Sequence, residues 1–192
     1  MAACVGKAVE PSLALTVPAA KPPTSATISP GKFGLQGNAV SFLQTAAYTD
    51  VDPKTIVVVA QASGGASAAE RNFSGGANGR VGVLTNGNRF IRAGSQLGCG
   101  AHDGDTLQIW LAECNGAASA LHINGGAAVG SGNAGTSTDT AVTLLALASG
   151  TNPTNGIVGD YARFGRVLTV AEKNQIGTAL ATKHGLTWST IT

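Results

Sequence analysis

Side chains able to do chemistry are few in this chain, and their spacing argues against most reactions. Retaining hydrolysis of a glycosidic bond needs two carboxylates about 5–5.5 Å apart. The glutamates are Glu10, Glu70, Glu113 and Glu172, scattered along the sequence with no obvious partner. Acyl transfer needs a nucleophile on a strained elbow within reach of a histidine; no Gly-x-Ser-x-Gly occurs. His102, His122 and His184 read instead as a turn, a strand and a helix-end residue. Zinc would need Cys-x-x-Cys or His-x-x-x-His spacing, which is missing, and Asp103 with Asp105 offers too few oxygens for calcium. Gly130-Ser-Gly-Asn-Ala-Gly135 has the spacing of a dinucleotide loop. No helical pattern follows it, so no helix N-terminus would meet a pyrophosphate. The expectation is a protein with no catalytic residues, no cofactor and no metal.

One residue stands out for ligand contact. The segment 105–113 alternates, with Leu107, Ile109 and Leu111 on one face and Thr106, Gln108, Trp110 and Ala112 on the other. An indole stacks well on the C–H face of a sugar, and Gln108 beside Trp110 could bond hydroxyls. Burial of Trp110 with its N–H paired is the competing explanation. Cys99 and Cys114 could pair across neighbouring strands, but free cysteines are commonly buried, and the unpaired state is expected.

The elements that must position these residues are mostly short strands. Strands are expected at 39–43, at 55–61 (apolar enough for burial on both faces), and on either side of Asn86-Gly87-Asn88. Others follow at 105–113, 118–123 and 140–148, while 62–79 reads as a Gly/Ala/Ser-rich loop. The Asn72 glycosylation sequon in that loop is discounted. Residues 157–164 form a last strand before the one convincing helix. Thr169 and Glu172 make its capping box, Ile176, Ala179, Leu180 and Val170 its apolar face. Lys183 and His184 lie in the last turn, and Gly185 supplies the stop.

This closing stretch resembles that of laminin-G-like domains with the concanavalin A-like lectin/glucanase fold. Asp160, Phe164, Arg166, Leu168, Thr169 and Glu172 fall in register with the family's motif, while Arg163 and His184 depart from it. Leu121-His-Ile-Asn-Gly125 is similar to the family's Asn-Gly hairpin. The resemblance implies an all-β, antiparallel jelly-roll sandwich with one C-terminal α-helix. Family glucanases carry Glu-x-Asp-x-x-Glu on one strand, and no glutamate here has that context.

Composition agrees with one domain. The chain has 192 residues, 43% hydrophobic and 11% charged, with 27 glycines for tight turns. A formal charge of +2 without a basic run gives no support to nucleic-acid binding, and no apolar run approaches the roughly 20 residues of a membrane span. Glu10, Pro11 and Pro18 interrupt any signal-peptide core, so synthesis in the cytoplasm without export is expected. Residues 1–34, with five prolines, read either as an arm that reaches a neighbour or as a first edge strand; the sandwich occupies 35–192. By family-level analogy the resemblance implies a structural or interaction protein of a phage virion, capsid-decorating or tail-associated, self-associating (a trimer would suit) and bound to other virion proteins. The alternative is a lectin-like module for surface glycans.

Overall fold

The computed structural model describes residues 15–16, 24–29, 32–37, 43–45, 49–62, 70–76, 78–102, 106–147 and 154–192. Its strands in chain order are β1 (Leu15–Thr16), β2 (Thr24–Ser29), β3 (Lys32–Gly37), β4 (Leu43–Thr45), β5 (Asp50–Val51), β6 (Lys54–Ala62), β7 (Arg71–Gly75) and β8 (Gly79–Val83). There follow β9 (Asn88–Ala93), β10 (Ser95–Ala101), β11 (Gln108–Cys114), β12 (Ser119–Ile123), β13 (Gly130–Gly132), β14 (Thr138–Asp139), β15 (Thr143–Leu144) and β16 (Gly156–Phe164), then helix α1 (Val170–His184).

Two antiparallel sheets of seven strands face each other, one ordered β1-β4-β15-β7-β8-β9-β10 and the other β13-β12-β11-β6-β16-β3-β2. The chain crosses repeatedly between them, as the jelly-roll expectation requires. A small β5–β14 pair closes one end. Within the N-terminal stretch 1–34, the described strands Leu15–Thr16 and Thr24–Ser29 pair with this chain's own β4 and β3.

Alternation along β6 gives the second sheet two cores. Ile56, Val58, Ala60 and Ala62 face the first sheet, where they meet Phe73, Val81 and Ile91, with Trp110 of the neighbouring β11 on the same inward face. Val57 and Val59 point the other way and pack with Ile109, Leu111 and Ala181 under the helix. Each such side chain contributes about 1.5–3 kcal/mol on burial, which explains an unbroken apolar run flanked by partners on both edges. The Asn86-Gly87 hairpin forms as expected, with Gly87 at φ 83°. Within the expected loop 62–79, however, Arg71–Gly75 is a strand. A bulge between Asn72 and Ser74 turns Phe73 inward, and one buried aromatic outweighs the loop-like composition around it. Among the described residues of the expected strand 140–148, only the two-residue β15 forms, because Leu145 takes a left-handed φ of 66° and ends the ladder.

Helix α1 is capped as the sequence predicts. The Glu172 amide donates to the Thr169 hydroxyl, the Thr169 amide donates to Glu172 Oε2 at 2.9 Å, and Gly185 closes the helix in the left-handed region. Its buried stripe differs from the expected one: Lys173, Gly177, Ala181 and His184 face the sheet, with Ile176 and Leu180 beside them. Val170 and Ala179 are exposed. Gly177 is the cause, since a Cβ there would lie 2.2 Å from the Trp188 indole, which occupies that space. Trp188 is fixed by donating its Nε1–H to Asn174 at 3.1 Å.

Candidate functional site

Among the described residues, two groups of charged side chains are built differently by the fold. At the end of the sandwich closed by β5–β14, Lys54 shares the inward face of Ile56, and its ammonium is fully buried. Lys54 Nζ lies 2.9 Å from Asp139 Oδ2 and 3.2 Å from Asp52 Oδ1. Arg163, inward-facing at the end of β16, donates to the same Asp139 oxygen at 2.6 Å. The other Asp139 oxygen accepts the amides of Asn78 and Gly79 at 3.0 and 2.9 Å. Burial alone would raise the Asp139 carboxyl, but the two amides and the two cations hold it well below the ordinary carboxylate range. Lys54 and Arg163 on one oxygen and the two amides on the other tie this carboxylate into the structure. Over this knot lies a small open depression of about 240 Å³ lined by Val51, Asp52, Thr136, Ser137 and Thr138.

The helix side is more open. Lys173 reaches down to Glu113 at 2.6 Å, with His122 Nε2 at 3.5 Å from the same oxygen. Desolvation would raise Glu113, and hydrogen bonds from His122 and Lys173 reverse that. Asp160 receives Lys183 at 2.6 Å and contacts His184, so the acidic position of the closing motif ties the strand to the helix end. Between β16 and α1 runs a groove of about 380 Å³ lined by Phe164, Arg166, Leu168, Glu172, Gln175, Ile176 and Ala179. Its lining is mainly apolar, with a few planar polar groups at the rim, and its size falls in the range of small-ligand sites. Arg166 makes a bidentate pair with Glu172 at 2.8 and 2.6 Å, which fixes both side chains along the rim.

The residues singled out from the sequence lie elsewhere. Trp110 is completely buried between the sheets, edge-on to Phe73 at 5.0 Å and with the Arg89 guanidinium 5.8 Å from its ring centre. It offers no face to a sugar, and Gln108 is buried beside it. The expected glycan contact is therefore corrected: both faces of β11 are covered, one by the first sheet and one by α1. Asp103 and Asp105 lie outside the described residues, while His102 sits against Trp110 at 5.8 Å. Cys99 and Cys114 are free and buried, and burial pushes their thiols up to about 11 and about 12. Asn72 is buried, which leaves the sequon without an exposed acceptor. Among the described residues no cluster of three or more His, Cys, Asp or Glu could hold a metal ion. The groove was missed because Phe164 reads as one more strand residue; only its place in the closing motif, beside Arg166 and Glu172, signals it.

No protein-family model matches the sequence, and no curated protein does. Solved structures do match in fold. A Trypanosoma rangeli sialidase superposes with a TM-score of 0.57 at 12% identity, over 83% of this chain and 28% of the sialidase. A botulinum neurotoxin type C structure, from a protein whose cell entry depends on two ganglioside molecules, gives 0.58 at 11% identity, over 88% of this chain and 47% of that one. Domain 4 of an extracellular arabinanase from Geobacillus stearothermophilus, in complex with arabinotriose, gives 0.58 at 12% identity, over 80% of this chain and 81% of the domain. This chain thus spans under a third of the sialidase and most of the arabinanase domain. It shares with them an antiparallel β-sandwich, here closed by a C-terminal helix.

Proposed function

We propose that this chain is a non-catalytic carbohydrate-binding module whose ligand lies in the groove between β16 and α1. The observation that carries the reading is Phe164, an aromatic ring lining an apolar groove beside Arg166, Glu172 and Gln175. Sugars present an apolar C–H face and a ring of hydroxyls, and such a wall with planar polar neighbours matches both. Support comes from the fold's company: a similar domain was solved with arabinotriose, and a similar toxin interacts with gangliosides. These neighbours favour carbohydrate binding over the virion component that the sequence suggested. Glycosidase activity is not expected, because Glu172 is engaged by Arg166 and Thr169, and Glu113 by Lys173. Self-association is not needed for this reading.

Titration calorimetry against arabinotriose and a panel of neutral and sialylated oligosaccharides tests it. Phe164→Ala should weaken the best ligand roughly tenfold or more while the circular dichroism spectrum is kept. A panel without binders, or a binder indifferent to Phe164→Ala, would overturn the assignment.

A further inference from the structure

The outer face of the first sheet carries an arrangement that neither the groove nor the buried knot explains. Arg80 on β8 stands directly opposite Arg92 on β9, and the next residue across, on β10, is Gln96. Val81 and Ile91, their neighbours along the chain, point into the core, so both arginines are on the outer face. Like charges directly opposite on adjacent strands repel and destabilise a sheet unless something neutralises them. Glu70 neutralises one: its Oε2 lies 2.8 Å from Arg80 Nη1, with both side chains mostly shielded at 13% and 23% exposure. Asp139 also feels Arg80 but is already matched by Lys54 and Arg163. The Arg92 Nε is buried with no hydrogen-bond partner among the described residues. Opposite Arg92, Gln96 is exposed and able to donate from its amide, and Gly98, diagonal to Arg92 and opposite Phe90, leaves open space on the exposed strand.

We infer that Arg92, with Arg80 and Gln96, forms an oxyanion site on the outer face of the first sheet, taking the carboxylate, sulfate or phosphate group of a ligand. A guanidinium fork presents two parallel N–H donors to two oxygens of such a group, and partial shielding strengthens the pair relative to open water. One added negative charge also removes the repulsion left after Glu70 is counted. Burial and the adjacent Arg92 charge, in that order, depress the Arg80 guanidinium, which agrees with an uncompensated pair. The site lies on the sheet opposite the groove, so it stands or falls independently of the Phe164 reading.

The test uses the intact protein. Thermal melting in sodium sulfate is compared with sodium chloride at matched ionic strength, and sialyllactose with lactose in calorimetry. Sulfate should raise the wild-type midpoint above the chloride value, and Arg92→Gln should remove most of that difference without lowering the midpoint in chloride. Arg92→Lys, which keeps the charge but not the planar fork, should retain only part of it. Phe164→Ala should leave the response intact. If the ligand is a carboxylated sugar, sialyllactose binds and Arg92→Gln weakens it roughly tenfold. A sulfate response without sialyllactose binding assigns the site to a free, phosphate or sulfate oxyanion. The same sulfate response in wild type and Arg92→Gln would overturn the site.

Discussion

The knot at the β5–β14 end and the rim of the helix groove are both made of acids held by bases, yet they differ in reach and in water. Lys54 and Asp139 are 85 positions apart and both fully buried, so the pair exists only once two distant parts of the chain have docked. Arg166 and Glu172 are six positions apart and 54% and 36% exposed. Removing a charge's partner in the interior strands it in a medium that cannot solvate it, whereas at the rim water takes over. The contrast separates roles. The knot fixes Gly79 and the β14 strand against the sheet ends, and its charges are spent on one another. The rim keeps planar groups within reach of a ligand, and that availability is what a binding surface requires.

The largest effect should come from breaking the knot. Asp139→Ala leaves Lys54 and Arg163 buried without their shared anion and the Asn78 and Gly79 amides without an acceptor. It should cost about 3–5 kcal/mol, read as a lower denaturant midpoint. A loss below about 1 kcal/mol would place Asp139 with the surface pairs and erase the distinction between the two regions. The same carboxylate gives a pH signature. Its folded-state value is depressed, so its contribution is complete above the ordinary value of 3.8 and is lost only as pH falls below that.

Gly177 sharpens the comparison from the helix side. In an exposed helix interior, Gly→Ala stabilises by about 1 kcal/mol. Here the new Cβ would meet the Trp188 indole at 2.2 Å, and Trp188 also packs on Gly125 and is tied to Asn174. Overpacking of this kind costs about 1–3 kcal/mol, so Gly177→Ala should be destabilising on balance. A stabilised variant would mean that Trp188 yields easily and that the helix seat is soft.

What the sequence made legible follows from how local each signal is. The capping box, the Gly185 stop, the Asn86-Gly87 hairpin and the doubly buried run of β6 depend on neighbours a few residues apart, and each appears where read. Trp110 was misplaced because alternation shows which residues share a face and not which layer covers it. Here the first sheet covers one face of β11 and α1 the other. The helix stripe was rotated for a related reason: Lys173 and Gly177 look like surface and breaker residues until Glu113 and Trp188 are brought to them. The Lys54–Asp139 pair and the Arg80–Arg92 register were invisible, since both arise from strand pairings that no local spacing encodes.

The smallest effect concerns the cap at the groove's edge, and it carries the comparison to the solvent-exposed limit. Thr169→Ala removes the hydroxyl that accepts the Glu172 amide and donates to the Glu172 carboxylate, and should cost about 1 kcal/mol. The hydrogen bond from Arg166, followed by the Thr169 amide, lowers the Glu172 carboxyl to about 2 from its ordinary 4.5. A depressed carboxylate stabilises the fold fully above 4.5 and loses that contribution as pH falls toward about 2. High salt screens the exposed Arg166 pair but leaves the backbone bond from Thr169 in place. In chemical denaturation, the difference between wild type and Glu172→Gln should therefore be present at neutral pH, shrink through the acid window, and be smaller in salt. Asp139→Ala should show little salt dependence, because its partners are out of the solvent. If both variants respond to salt alike, the interior knot is wetter than its burial implies. If neither does, the rim pair is held by geometry more than by charge.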